Sequence, residues 1–251
     1  MGRLGGSAAS PSRLIRGNCH HDESPIAVFT EPKFASMIPA KNSNNNLRLF
    51  AIVPAAGRSR RMGRPKLLLP LGEGTVISRM LSVFRRPEIA ATIVVIRADD
   101  EALRVAVAEC GAIPLQPDVP PPEMRQSVEE ALQYLERQFH PRPDEGWLLA
   151  PADHPLLDLA VIDRLILAWR KSPGNILVPA CRGQRGHPTL FPFRLVPDVF
   201  QLPPDQGLNG LLRLRADEIE QIDVDSPAVI SDLDTPEDYA RLREDWERGG
   251  S

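Results

Sequence analysis

The sequence lacks any apolar run approaching the roughly 18 to 20 residues that a membrane-spanning helix requires, so no membrane partner is expected. Cysteine is scarce. Cys19, Cys110 and Cys181 lie far apart with no CxxC pair, which argues against a structural zinc site or a disulfide framework and fits a reducing, cytoplasmic setting. An excess of either charge is missing as well, since 30 Lys and Arg face 33 Asp and Glu for a formal net charge of -3. With a pI near 6.0, the chain has no dominant basic footprint for nucleic acid, and no nucleic-acid partner is expected. No internal repeat of about 20 to 50 residues is visible, which sets solenoids aside.

What is present divides at residue 47. Gly, Ser, Pro and Asn are frequent in residues 1–47, which show no helical or strand periodicity, and the expectation there is a disordered N-terminal extension. Arg3, Arg13 and Arg16 are followed by no apolar segment of a secretory signal, and Gly6 stands where N-myristoylation wants Ser or Thr. A true start at Met37 would explain the segment equally well. Residues 48–246 are expected to form one domain, long enough to bury a sizeable core.

In that domain strands and helices alternate. Leu47–Pro54, LRLFAIVP, is an apolar run ending at small residues, the pattern of a buried parallel strand. Helical spacing of Val76, Ile77, Met80, Leu81 and Phe84 follows, and then ATIVVI from Ala91 to Ile96, a strand rich in β-branched residues. Helices are predicted over Glu101–Cys110, Ser127–Phe139 (with Ser127 as N-cap and Glu130 three residues on) and Leu159–Trp169. Strands are predicted at Ile113–Leu115, Trp147–Ala150 and Asn175–Pro179. The fold class is therefore α/β, a doubly wound, mostly parallel sheet in three α/β/α layers. Ligands in such sheets sit beyond the carboxyl ends of the strands, so function is sought in the loops there.

The loop after the first strand reads Ala55-Ala56-Gly57-Arg58-Ser59-Arg60-Arg61-Met62-Gly63-Arg64-Pro65-Lys66. Small residues let the backbone approach a ligand, successive N–H groups can form an anion-binding nest, and the arginines with Lys66 neutralise charge. That composition suits a triphosphate, with Lys66 as a mobile point charge. The plainer alternative is a basic surface loop, and GxxxxGK[ST] is absent. After the strand WLLA comes Pro151-Ala152-Asp153-His154-Pro155. Asp153 at a strand's carboxyl end is a suitable hard oxygen ligand for a metal bridging phosphates; the alternative is an N-cap. Asp232 and Asp234 in Ser231-Asp232-Leu233-Asp234-Thr235-Pro236-Glu237-Asp238-Tyr239 fall on one face of an extended segment and can converge on one cation, before a helix that starts at Thr235-Pro236-Glu237.

AAGxSxRMGxxK followed by LLPL resembles the signature of the MobA-like nucleotidyltransferases, and its LLPL ending is most similar to the molybdenum cofactor cytidylyltransferases within that family. The resemblance covers most of residues 50–240, and this chain carries an extra Arg before Met62. It implies nucleotide binding by Ala55, Ala56, Gly57, Arg58 and Lys66, with Ser127 in the serine-bearing stretch after the third strand. It further implies that Asp153, in the place of the family's GDxP aspartate, holds Mg²⁺ together with Asp234, with Asp232 as second choice. RGQRGHPTLF, Arg182 to Phe191, matches the GxxGHPxLF run, where His187 would bind or position an anionic acceptor; a lone His is more often structural. Asp205-Gln206-Gly207 resembles the family's GDxGAR stretch.

Departures cluster away from phosphate and metal. Gln116 to Ser127 lacks the Asn and Gly usual after the third strand, Ala152 replaces the Gly of GDxP, and Asn209 stands where GDxGAR has Arg. The implied reaction is attack by an acceptor phosphate oxygen on the α-phosphorus of an NTP, with Lys66, Arg58 or Arg61 and Mg²⁺ stabilising charge. The resemblance implies CTP as the nucleotide, molybdopterin or its molybdenum form as acceptor, and a molybdoenzyme as a recipient of the product. Two alternatives stay open: transfer to a sugar or polyol phosphate, and a non-catalytic protein that binds the cofactor during molybdoenzyme maturation.

Overall fold

β1 (Leu49–Pro54) runs up the middle of the sheet and is buried on both sides. Alternation explains how: Leu49, Ala51 and Val53 enter one apolar cluster, while Phe50 and Ile52 enter the other. The computed structural model describes residues 48–249, within the unit Lys41–Ser251. The disordered extension expected over 1–47 lies outside the described residues.

After β1, the two-residue strands β2 (Pro70–Leu71) and β3 (Gly74–Thr75) form a small antiparallel ribbon leading into α1 (Val76–Ser82). Then come β4 (Ile89–Val95), α2 (Glu101–Glu109), β5 (Ile113–Leu115), α3 (Met124–Phe139), β6 (Gly146–Leu149), α4 (Leu159–Lys171) and β7 (Ile176–Cys181). β8 (Gln184–Arg185), β9 (Thr189–Pro192), α5 (Val196–Gln201), α6 (Asn209–Leu214), β10 (Ile219–Asp223) and α7 (Pro236–Gly249) complete the chain. The main sheet has the order β10-β7-β9-β6-β1-β4-β5, with β8 paired to β7. β10 and β7 are parallel, as are β6, β1, β4 and β5, whereas β9 runs antiparallel to both of its neighbours.

One face carries α1, α2, α4 and α7 through Ile77, Leu103, Ile162 and Leu242; the other carries α3, α5 and α6 through Leu132, Val199 and Leu211. The expected three-layer, mostly parallel sheet is what the chain forms. Each large side chain fully buried this way contributes about 1.5–3 kcal/mol, so the sheet is a rigid base for its upper loops.

One expected boundary is corrected. α3 starts at Met124, with Glu123 at the N-cap position and no side-chain cap, so Ser127 lies inside the first turn and is not the cap. The start is held by tertiary contacts: the buried Arg125 donates to the carbonyls of Leu202, Pro203 and Gln206 and pairs with Glu129. A long-range anchor of this kind leaves no local sequence signal.

Candidate functional site

The loop that follows β1 begins with Ala55 donating to Val95 O at 2.8 Å, which ties it to the end of β4. Among the described residues no protein acceptor receives the amides of Ala56, Gly57, Arg58 or Ser59, so the donors of an anion nest are free. Ser59 shapes the rest. Its backbone is left-handed at φ 47°, its carbonyl accepts from Met62 and Gly63, and its Oγ accepts from Lys66 N. A pocket of about 300 Å³ opens above, lined by Gly57, Arg58, Ser59, Arg64, Lys66 and Arg97 among others. Arg97, just past β4, donates to Gly57 O at 3.4 Å and pairs with Asp99 and Asp100. Gln116 donates to the carbonyls of Arg97 and Ala98, so this departure from the family pattern braces the pocket's wall.

Lys66, expected as a mobile point charge, is anchored to neighbouring oxygens. A short 3-10 turn, Lys66–Leu68, fixes its backbone, and its side chain is only 15% exposed. Its ammonium donates to Leu233 O at 2.6 Å and lies 3.1 Å from Asp234 Oδ1 and 3.5 Å from Asp153 Oδ2. Sequence positions 66, 153 and 234 thus meet at one point. Arg61, immediately before Met62, adds a contact of 2.9 Å to Asp234 Oδ2.

Local folding explains the meeting. β6 ends beside β1, where Ala152 N donates to Pro54 O, and Asp153 O accepts from Leu233 N at 2.8 Å. Asp153 is no helix cap, because α4 starts later, capped by Asp158. A capping box closes the start of α7: Thr235 Oγ1 accepts from Asp238 N, and Asp238 Oδ2 reaches back to accept from the amides of Asp234 and Thr235. The Thr235 hydroxyl, followed by these amides and Arg241, holds the Asp238 carboxyl below its usual range. Asp234 is thereby presented by a capped helix start. Asp232 points elsewhere, to His154 Nε2 at 3.2 Å, so the two carboxylates of this segment do not share one cation.

His154 is buried beside Asp153, and its ring stands edge-on to His187 with centroids 5.1 Å apart. The Nδ1 atoms of both are buried without a partner among the described residues. Burial first, then the nearby His154, pushes the His187 pKa down to about 4, against smaller opposing effects of the Leu149 backbone and Asp153. At neutral pH His187 is an uncharged hydrogen-bonding group. Ser127, buried in α3, does not line the pocket with Arg58 and Lys66.

A metal is testable against these donors. Among the described residues no group of three or more His, Cys, Asp or Glu could hold one. Two partly exposed carboxylates on one shared cation fit Mg²⁺ nevertheless, because that ion commonly takes one or two carboxylates and completes its shell with water and substrate phosphates.

Residues 51–222 match the MobA-like NTP transferase domain. The chain belongs to that family of nucleotidyltransferases. Among its relatives, a molybdenum cofactor guanylyltransferase of Mesorhizobium japonicum is 35% identical over 142 residues, 56% of this chain and 64% of that protein's own length. The molybdenum cofactor cytidylyltransferase of Escherichia coli is 24% identical over 196 residues, covering 77% of this chain and 94% of that one. The crystal structure of Rv0371c from Mycobacterium tuberculosis superposes with a TM-score of 0.65 at 30% identity, covering 78% of this chain and 98% of that one. The same protein was also solved in complex with manganese, at 28% identity and a TM-score of 0.61. No described helix of this MobA-like chain is long and apolar enough to cross a membrane.

Proposed function

We propose that the chain transfers a nucleoside monophosphate from CTP to the phosphate of molybdopterin or its molybdenum form, releasing pyrophosphate with Mg²⁺ as cofactor. The observation that carries this reading is the convergence of Asp153 and Asp234 on Lys66, which lines one pocket with the Gly57–Ser59 stretch whose amides are free. The loop amides and Arg58 would take the triphosphate oxygens, and Lys66 would turn from the carboxylates to the phosphates as they arrive. An acceptor phosphate oxygen forms the new bond to the α-phosphorus while the bond from that phosphorus to the bridging oxygen breaks, and the electron pair leaves with pyrophosphate. Asp153 and Asp234 would hold Mg²⁺, whose charge when bound stabilises the transferring group. The manganese complex of Rv0371c supports a divalent cation in this setting.

The choice of CTP rests on the LLPL ending and the Escherichia coli relative; GTP is the specific competitor, because the Mesorhizobium relative is named as a guanylyltransferase. A cytoplasmic setting, as the cysteine usage suggests, goes with this reading. Purified protein with Mg²⁺ and molybdopterin is expected to release pyrophosphate from CTP in preference to GTP, ATP and UTP. Release from GTP alone would move the nucleotide assignment, and release from none of the four would sink the reading.

A further inference from the structure

The stretch between β5 and α3 is pinned at both ends, and the two pins lie in different parts of the molecule. At its start, Gln116 Nε2 donates to the carbonyls of Arg97 and Ala98 at 3.0 and 3.1 Å. Arg97 lines the pocket of the 55–66 loop, so this pin holds the pocket's wall. At its end, Arg125 reaches a loop 77 to 81 residues further along the chain. There Nη1 donates to Leu202 O at 3.2 Å, Pro203 O at 2.5 Å and Gln206 O at 3.0 Å. Between the pins stand Pro117, Pro120, Pro121 and Pro122, whose fixed φ leaves the backbone few ways to bend.

The second pin does more than start a helix. A serine or aspartate at position 123 would cap α3 with one local hydrogen bond, so helix formation alone does not call for a buried cation. The Arg125 side chain is only 10% exposed, and a guanidinium so buried is tolerated when its donors are used. Its Nε pairs with Glu129 Oε1 at 2.8 Å, which leaves Nη1 to the three carbonyls. The loop it grips carries Asp205-Gln206-Gly207 and runs straight into α6, where Gly210 N donates to Gly207 O at 2.8 Å. We propose that residues 116–125 act as a strut tying the wall of the 55–66 pocket to the loop before α6, with Arg125 as the positioning residue at its far end. A ligand that engages Arg97 then settles the 202–207 loop through Gln116 and the prolines, and loosening either pin uncouples them. Only the consequence for turnover rests on the nucleotidyl-transfer reading.

Amide hydrogen exchange of the full chain tests the strut without turnover. Gln116→Ala cuts the first pin and leaves every bond of Arg125 in place. It should speed exchange at Gln206 and Gly210, whose amides donate to Pro203 O and Gly207 O, by roughly two- to tenfold, the effect of one lost hydrogen bond. Arg125→Lys keeps the charge but cannot serve the carboxylate and the carbonyls with one fork, so it should speed the same two amides from the other end. Magnesium tripolyphosphate, a probe for the 55–66 pocket, should slow both amides in the parent and not in Gln116→Ala. A Gln116→Ala effect confined to residues 96–118 would overturn the strut, as would tripolyphosphate that leaves both amides unchanged in the parent or slows them equally in the variant. In turnover, saturating NTP should lower the acceptor KM of the parent by about fivefold or more, the usual size of a coupling between two sites, and should leave that of Arg125→Lys unchanged. Absence of pyrophosphate release from all four NTPs would remove the transfer reading while the exchange rates still decide the strut.

Discussion

At the residue scale the site is built from opposed charges in direct contact, Lys66 and Arg61 against Asp153 and Asp234. Asp153 stands 33% exposed, with a lysine on one oxygen and a histidine near the other. Asp153→Asn keeps the shape and removes the charge, so folding should persist while pyrophosphate release falls by roughly 10²- to 10³-fold, the usual loss when one preorganised electrostatic group is removed. A variant that stays within threefold of the parent would show that Asp153 is not in the reacting machinery. His187 makes a second, independent statement. Its folded pKa of about 4 lies below the ordinary 6.5, so the folded state binds its proton more weakly than the unfolded state. The stability this group contributes is whole above about pH 6.5 and is lost as pH falls towards 4, by up to about 3 kcal/mol. Urea unfolding at several pH values should therefore show the gap between parent and His187→Gln closing from pH 7 to pH 4. Parallel curves would mean that His187 is not held neutral.

At the element scale, the loop between β8 and β9 is locked against the segment that presents Asp234. His187 N donates to Val229 O at 2.8 Å, and a Cβ on Gly186 would lie 2.1 Å from that same carbonyl oxygen. Gly186→Ala must push the 229–234 segment away, at a cost of about 1–3 kcal/mol for overpacking, and should reduce turnover further by shifting Asp234 from Lys66. Unchanged stability and activity would show that the contact gives way freely. Elements of this kind divide the legible from the hidden. β1, β4 and β6 are readable because strands buried on both faces need unbroken apolar runs, and Lys66, Asp153 and Asp234 follow from motif spacing. β10, IEQID, alternates too weakly at the sheet edge to be read, and β9 runs antiparallel, which a βαβ pattern does not signal. Arg97 and Arg125 are invisible for another reason: their partners come from chain segments far away in sequence, and a lone arginine carries no period. Gly186 was in plain view within GHP, but the carbonyl it must admit was not.

At the scale of the whole molecule, ligand binding should be read as stability. Lys66 and Arg61 already balance Asp153 and Asp234, two positive groups against two negative ones within 3.5 Å. A bare divalent cation entering there must displace an ammonium group that has nowhere else to go, so Mg²⁺ alone should bind weakly. A triphosphate offers Lys66 and Arg61 a new partner and frees both carboxylates, so nucleotide and metal should stabilise the fold together more than either does alone; by linkage, the coupling is reciprocal. At 100 times the dissociation constant a ligand adds about 2.7 kcal/mol, which in a domain of this size corresponds to a Tm rise of roughly 5–10 °C. The expected pattern in thermal unfolding is therefore a small shift with Mg²⁺, an intermediate one with CTP, and a large one with both. Lys66→Gln should invert the first comparison, because removing the competing ammonium leaves two carboxylates facing each other and open to the metal, so Mg²⁺ alone should then raise Tm more than it does in the parent. Equal Mg²⁺ shifts in parent and variant would show that Lys66 does not guard the carboxylates, and simple additivity of nucleotide and metal would show that the two do not share them.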